Sequence, residues 1–174
     1  MSLGLNQITT ATGRQFAPFA PRAEDISLKD IGIALPRINR FNGHTRWTYS
    51  VAQHSLLVSQ HCPPELAAWG LLHDVAEIYL SDIPTPVKRG LFGIDAIEMR
   101  ILQCVAERFG LVWPIPAELW KIDGNALATE WRDLMPGPDR AAEFGEPFAS
   151  PIPALVESTV RYDLRRRCDE LGIR

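Results

Sequence analysis

At 174 residues, 46% of them apolar and 22% charged, the chain has the balance of one globular domain with a real hydrophobic core, not of a disordered chain. Its net charge of −3 argues against nucleic acid as a partner, which needs a basic footprint, and the short run Arg165 to Arg167 reads as a solvated helix end. Cys62, Cys104 and Cys168 are odd in number and lack CxxC spacing, which argues against a disulfide framework or a zinc knuckle. No apolar run approaches the ~18 residues of a membrane span, and the N-terminus lacks the layout of a signal peptide, so the expectation is a cytoplasmic protein with no membrane contact.

Residues 1–26 read as an irregular surface arm, with Phe16, Pro18, Phe19 and Pro21 among polar neighbours. Ser27 followed by Asp30 resembles a capping box, and Ile31, Ala34, Leu35 and Ile38 have helical spacing that Pro36 interrupts, which predicts a short or kinked first helix. Residues 39–49 are loop chemistry with an Asn42-Gly43 turn. Ser50 can cap a helix in which Val51, His54, Ser55 and Val58 share a face, ending before Pro63-Pro64. The next helix is predicted from about Glu65 to Leu80, with Leu66, Trp69, Leu72, His73 and Ala76 turned inward.

Further helices are predicted at about Ile94 to Phe109, closed by Gly110, and at about Ala117 to Leu134. Residues 137–153 read as a long flexible connection, and a last helix runs from about Ala154 to Leu171. Strand alternation of useful length and internal repeats are both missing. The fold expected is all-α, a single helical-bundle domain, with a core at about 27–135 and a C-terminal connection and helix at 136–174.

Three predicted helices carry metal-capable residues on their inner sides: His54, then His73 beside Asp74, then Asp123. Two imidazoles and two carboxylates form a mixed nitrogen and oxygen set that suits one divalent transition metal, Mn, Fe, Co, Ni or Zn, better than calcium. A lone histidine on an apolar helix face is more often a hydrogen-bonded core residue, and Asp123 alone could tie two helices together. Asp74 is harder to set aside, because a charge among Leu71, Leu72, Val75 and Ile78 costs several kcal/mol unless it is paired or coordinated. One helical turn after His73 comes Glu77.

The order of these residues resembles the HD-domain superfamily of all-helical, metal-dependent phosphohydrolases. It is most similar to the small bacterial 5′-deoxynucleotidases, whose I-N-R, V-x-x-H-S, H-D-x-x-E and D-[LI]-P-T-P-V-K segments match Ile38-Asn39-Arg40, Val51 to Ser55, His73 to Glu77 and Asp82 to Lys88, with Lys121-Ile122-Asp123 later. The resemblance covers roughly Asp30 to Leu134. It implies that His54, His73, Asp74 and Asp123 bind the metal, that Glu77 positions or deprotonates the attacking water, and that Arg40 contacts the substrate phosphate. It further implies that Asp82 accepts a hydrogen bond from the deoxyribose 3′-hydroxyl.

A carboxylate one turn from a ligand suits a general base, and the guanidinium fork of Arg40 suits phosphate. Lys88 is a second candidate for substrate contact, its alternative being a solvated loop lysine. His44 could contact substrate, whereas His61, ~10 Å along the helix from His54, decorates a helix end. Glu130 reads as an ion pair within the bundle, and Phe41 and Trp47 as core filling or walls of a base pocket.

The function expected is hydrolysis at the α-phosphorus of a deoxynucleotide, most simply a 5′-deoxynucleotidase that converts a monophosphate to deoxynucleoside and phosphate. A deoxynucleoside triphosphohydrolase of the small phage dATPase type, releasing triphosphate, is the alternative. A non-catalytic, metal-stabilised nucleotide-binding regulatory module is the alternative of another class; Glu77 and Asp82 speak against it, since neither is needed merely to hold a metal. The resemblance also implies a homo-oligomer, a dimer or higher.

Overall fold

Serine caps start the first two major helices. In the computed structural model, which describes residues 6–174, the Ser27 hydroxyl accepts the Asp30 amide at the head of α1 (Leu28–Ala34). Ser50 forms a complete capping box with Gln53 at the head of α2 (Val51–His61). The box expected at Ser27 is only half made. Asp30 is buried, and its carboxylate accepts the Thr12 amide at 2.7 Å and the Thr12 hydroxyl at 2.9 Å instead. After α1 the chain tightens through Leu35–Arg37 around Pro36, the predicted kink.

Helix α2 is the central rod. Eight of its eleven residues are buried, so it is enclosed rather than amphipathic. Against it pack α3 (Ala67–Leu72), α7 (Leu119–Leu134) and α8 (Glu157–Glu170). The helix predicted over Glu65 to Leu80 is broken: α3 ends at Leu72, and α4 spans only Glu77–Leu80. Between them the amides of Val75, Glu77, Ile78 and Tyr79 bond three residues back, to Leu72, Asp74, Val75 and Ala76. The tightening starts just beyond His73, whose own amide still bonds four residues back to Trp69.

Pro84 leads into α5 (Thr85–Lys88), and α6 (Ile94–Phe109) ends at Gly110 with φ 67°. The main core gathers Phe16, Ile31, Val51, Val58, Leu71, Leu72, Ile101, Val105, Leu119 and Leu164. Helices carry the architecture throughout, and the fold is all-α. Among the described residues the one sheet is a hairpin of β1 (Ile8–Thr9) and β2 (Gln15–Phe16). No helix among them is long and apolar enough to cross a membrane.

Three expectations are corrected. The N-terminal arm, whose residues 1–5 lie outside the described ones, is not a surface strand of loop: Phe16 is fully buried and stacks on Tyr79 with ring centroids 3.5 Å apart. Apolar burial of that ring outweighs the polar character of its neighbours. Residues 137–153 are tied down along α7 rather than flexible. The amides of Glu146, Phe148 and Ile152 donate to Asn125, Thr129 and Asp133, and Arg132 donates to the carbonyl of Phe148. Arg167 is not simply solvated either, since its guanidinium donates to the hydroxyl and carbonyl of Ser59 on α2.

Candidate metal centre

His54 projects from the middle of α2, His73 and Asp74 from the tightened turn after α3, and Asp123 from the first turns of α7. One ligand atom from each of His54, His73 and Asp123 lies within 4.8 Å of the other two. The two Nε2 atoms are 3.2 Å apart, and the Asp123 Oδ1 lies 3.0 Å from that of His54 and 3.7 Å from that of His73. Asp74 stands outside this triangle but touches it: its two oxygens lie 3.4 Å from the Nε2 of His54 and of His73. The cavity of about 650 Å³ between α1 and α8 is lined by none of these residues.

Hydrogen bonds set the state of both imidazoles. The Nδ1 of His73 lies 3.0 Å from the carbonyl of Gly70, and that of His54 lies 2.6 Å from a carboxylate oxygen of Glu130. Both partners only accept, so each Nδ1 carries a proton, and each ring when neutral turns a lone pair on Nε2 toward the other. Two lone pairs 3.2 Å apart, with Asp123 and Asp74 beside them, call for positive charge at their centre.

Without an ion, protons answer that call. Burial and the Arg40 charge push His54 down, yet Glu130 and Asp123 overcome them and hold it at about 10. His73 is likewise raised against burial by Asp74 and Asp123. Burial would lift Asp123, but hydrogen bonds from the two imidazoles hold it below the usual carboxylate range. An ion with bonds of ~2.0–2.2 Å keeps adjacent ligands roughly 3.0–3.5 Å apart, which two of the three separations match. This group can hold a metal ion.

Around the triangle stand the other candidates. Arg40 sits just before α2, where Phe41 and Asn42 take positive φ, and its guanidinium is already engaged. Its Nη1 lies 3.3 Å from Asp74 and its Nη2 3.0 Å from Glu130, while its buried Nε has no partner among the described residues. Burial opposes its charge, but Glu130, Asp74, Glu77 and Asp82 together raise its pKa.

Burial, reinforced by Asp74 and Asp82, pushes the Glu77 carboxyl well above its usual range, and its buried Oε2 has no partner. Asp82 is also raised, mainly by burial, and one of its oxygens accepts the Phe41 amide at 3.1 Å. Lys88 points elsewhere: it pairs with Glu98 and, at 3.9 Å, Asp95 on α6. His44 is exposed, and His61 bonds the Leu57 carbonyl and stacks on Phe148 at 3.6 Å. Phe41 meets Trp131 edge to face, whereas Trp47 packs with Tyr49 and Leu134.

Relatives can be set beside this geometry. An uncharacterized protein of Escherichia coli (strain K12), YfdR, is 40% identical over 127 residues, which is 73% of this chain and 71% of that protein. The chain belongs to the YfdR family. An uncharacterized protein of Rhodobacter capsulatus is 36% identical over 118 residues, 62% of this chain and 60% of its own. No protein-family model matches the chain.

In this YfdR-family chain one participant was undervalued from sequence. Glu130 does pair within the bundle as expected, but its partners are His54 and Arg40, both candidate site residues. The available signal was a carboxylate two turns beyond Asp123, on a stretch of α7 whose neighbours Ala126, Ala128, Thr129 and Leu134 are all buried. A charge in such a place needs specific partners.

Proposed function

We propose that this chain is a metal-dependent phosphohydrolase acting at the α-phosphorus of deoxynucleotides, with deoxynucleoside 5′-monophosphates as substrates. The observation that carries the reading is the pair of orphaned polar atoms beside the metal-capable cluster. Among the described residues the buried Arg40 Nε is a donor without an acceptor, and the buried Glu77 Oε2 has no hydrogen-bond partner. Buried polar groups are rarely left so, and a phosphate oxygen and a water would satisfy them in turn.

In this reading His54, His73, Asp74 and Asp123 hold one divalent ion from the set Mn, Fe, Co, Ni and Zn. The ion supplies Lewis acidity toward a phosphoryl oxygen and toward water. Arg40 binds and orients the phosphate. Glu77, whose buried Oε2 has no hydrogen-bond partner among the described residues, takes the proton of the attacking water. A new P–O bond forms as the bond to the 5′-oxygen breaks, and that oxygen leaves as an alcohol carrying the proton that Glu77 took from the water. Asp82 keeps one oxygen beyond the Phe41 amide with which to accept the 3′-hydroxyl.

Monophosphate is preferred over triphosphate because Lys88, the second candidate cation, is engaged by Glu98 and Asp95 on α6 rather than turned to a longer phosphate chain. The same proposal includes the homo-oligomeric state that the family resemblance implies and the cytoplasmic setting expected from the sequence.

The deciding experiment sets a panel of nucleotides against a panel of divalent ions and resolves the phosphate products. Inorganic phosphate from dAMP is expected. Tripolyphosphate from dATP would favour the triphosphohydrolase instead, and release of neither under any ion would remove the enzyme reading.

A further inference from the structure

We infer that Glu130 is a positioning residue shared by two subsites, one carboxylate oxygen fixing the imidazole of His54 toward the cation and the other holding Arg40 toward the anion. The cation half stands on the geometry of the cluster, and the anion half rests on the reading of Arg40 as the phosphate contact. Glu130 is fully buried, so its charge is tolerable only because both oxygens are engaged: one lies 2.6 Å from the His54 Nδ1, the other 3.0 Å from the Arg40 Nη2.

The consequences differ for the two partners. On the histidine side, acceptance of the Nδ1 proton keeps the Nε2 lone pair available and stops the ring from rotating. Partners of this kind typically change metal affinity 10- to 100-fold. On the arginine side, the same carboxylate and Asp74 take the two Nη groups and leave Nε unpartnered. The guanidinium is thus held with a free donor. Helix α7 therefore serves the site twice, through Asp123 directly and through Glu130 about two turns on, roughly 10 Å along the axis.

Glu130→Gln separates these effects because it keeps the size and one acceptor. Its amide oxygen can still take the His54 proton, but its NH₂ group would face the Arg40 donors. With the full-length chain, titration with Co²⁺ is expected to show about 10-fold weaker binding for Glu130→Gln. Titration of the Co²⁺-loaded protein with inorganic phosphate is expected to show a still larger loss. A purely structural role would lower the melting temperature and leave both affinities of the folded protein unchanged. Affinities within about 2-fold of the parent would therefore overturn the inference.

Should Glu130→Gln not fold, ¹⁵N-histidine spectra of the parent with Cd²⁺ decide. The His54 Nδ1 should keep its proton while Nε2 takes the ion, and an ion on Nδ1 would overturn the assignment. A parent that binds Co²⁺ yet hydrolyses no nucleotide would sink the phosphohydrolase reading. The Co²⁺ effect of Glu130→Gln would still support the positioning role.

Discussion

Gly70 of α3 faces Ser59 of α2 so closely that a Cβ built on it would stand 2.9 Å from the Ser59 Cα. The same Cβ would meet the Cys62 Sγ at 2.8 Å. The missing side chain lets two helices approach at the place where His73, bonded to the Gly70 carbonyl, meets His54.

Gly70→Ala therefore sets two terms against each other. Helix propensity favours alanine by up to about 1 kcal/mol. Overpacking against backbone that cannot swing aside costs about 1–3 kcal/mol. The net expectation is destabilisation of roughly 1 kcal/mol or more, together with weaker divalent-ion binding as the imidazoles move apart. Urea unfolding of the two proteins measures the first effect, and a midpoint for Gly70→Ala at or above that of the parent would refute the argument.

Occupancy of the metal site should stabilise the whole fold, because His54, His73 and Asp123 come from three separate segments that an ion would tie together. A ligand at 100 times its dissociation constant adds about 2.7 kcal/mol when it binds only the native state. The melting temperature should rise with Co²⁺ or Mn²⁺ and fall with chelator, and His54→Ala should abolish the dependence. Identical melting curves with ion, without ion and with chelator would exclude a bound metal.

Glu77 is not among the residues that could hold the ion, and its buried Oε2 has no hydrogen-bond partner among the described residues, so its removal should leave the ion in place. Glu77→Ala is expected to keep its metal content and its ion-dependent melting shift while losing about 10²–10⁴-fold in hydrolysis, the usual range for a general base. Hydrolysis at the parental rate would transfer the role of base to another group.

The helical periods, the serine caps and the glycine stop after α6 were open to reading because they are local: each depends on residues within about one or two turns. Helices α6 and α7 fall within two residues of their expected bounds for that reason. The convergence of His54, His73 and Asp123 was legible too, through residue type and order.

What was hidden depends on contacts distant in sequence. Phe16 is core only because Tyr79, 63 positions on, offers a ring to stack on. Glu130 gains its meaning from His54 and Arg40, 76 and 90 residues away. The break in the helix at His73 has no glycine or proline to announce it. It falls where Asp74 lies against the imidazoles of both His54 and His73.

The ordered path of residues 137–153 leads to a pH prediction. Asp133 accepts Arg132 at 2.6 and 2.9 Å and the Ile152 amide at 2.9 Å, fastening the end of the connection to α7. The Arg132 hydrogen bond is the chief cause that holds the Asp133 carboxyl below its ordinary value, with the Ile152 amide assisting against partial burial. A depressed folded pKa means stability that is complete above the unfolded value of about 3.9 and is lost as pH falls through the folded value. Asp133→Asn should therefore cost about 1–2 kcal/mol at pH 7, in the range of charge-assisted hydrogen bonds. Below pH 4 the gap should narrow, because the unfolded parent takes up a proton there and the folded carboxyl follows only at lower pH. Paired urea titrations at pH 7 and pH 3 test this, and a gap that widens in acid would mean that Asp133 stabilises the connection by something other than its charge.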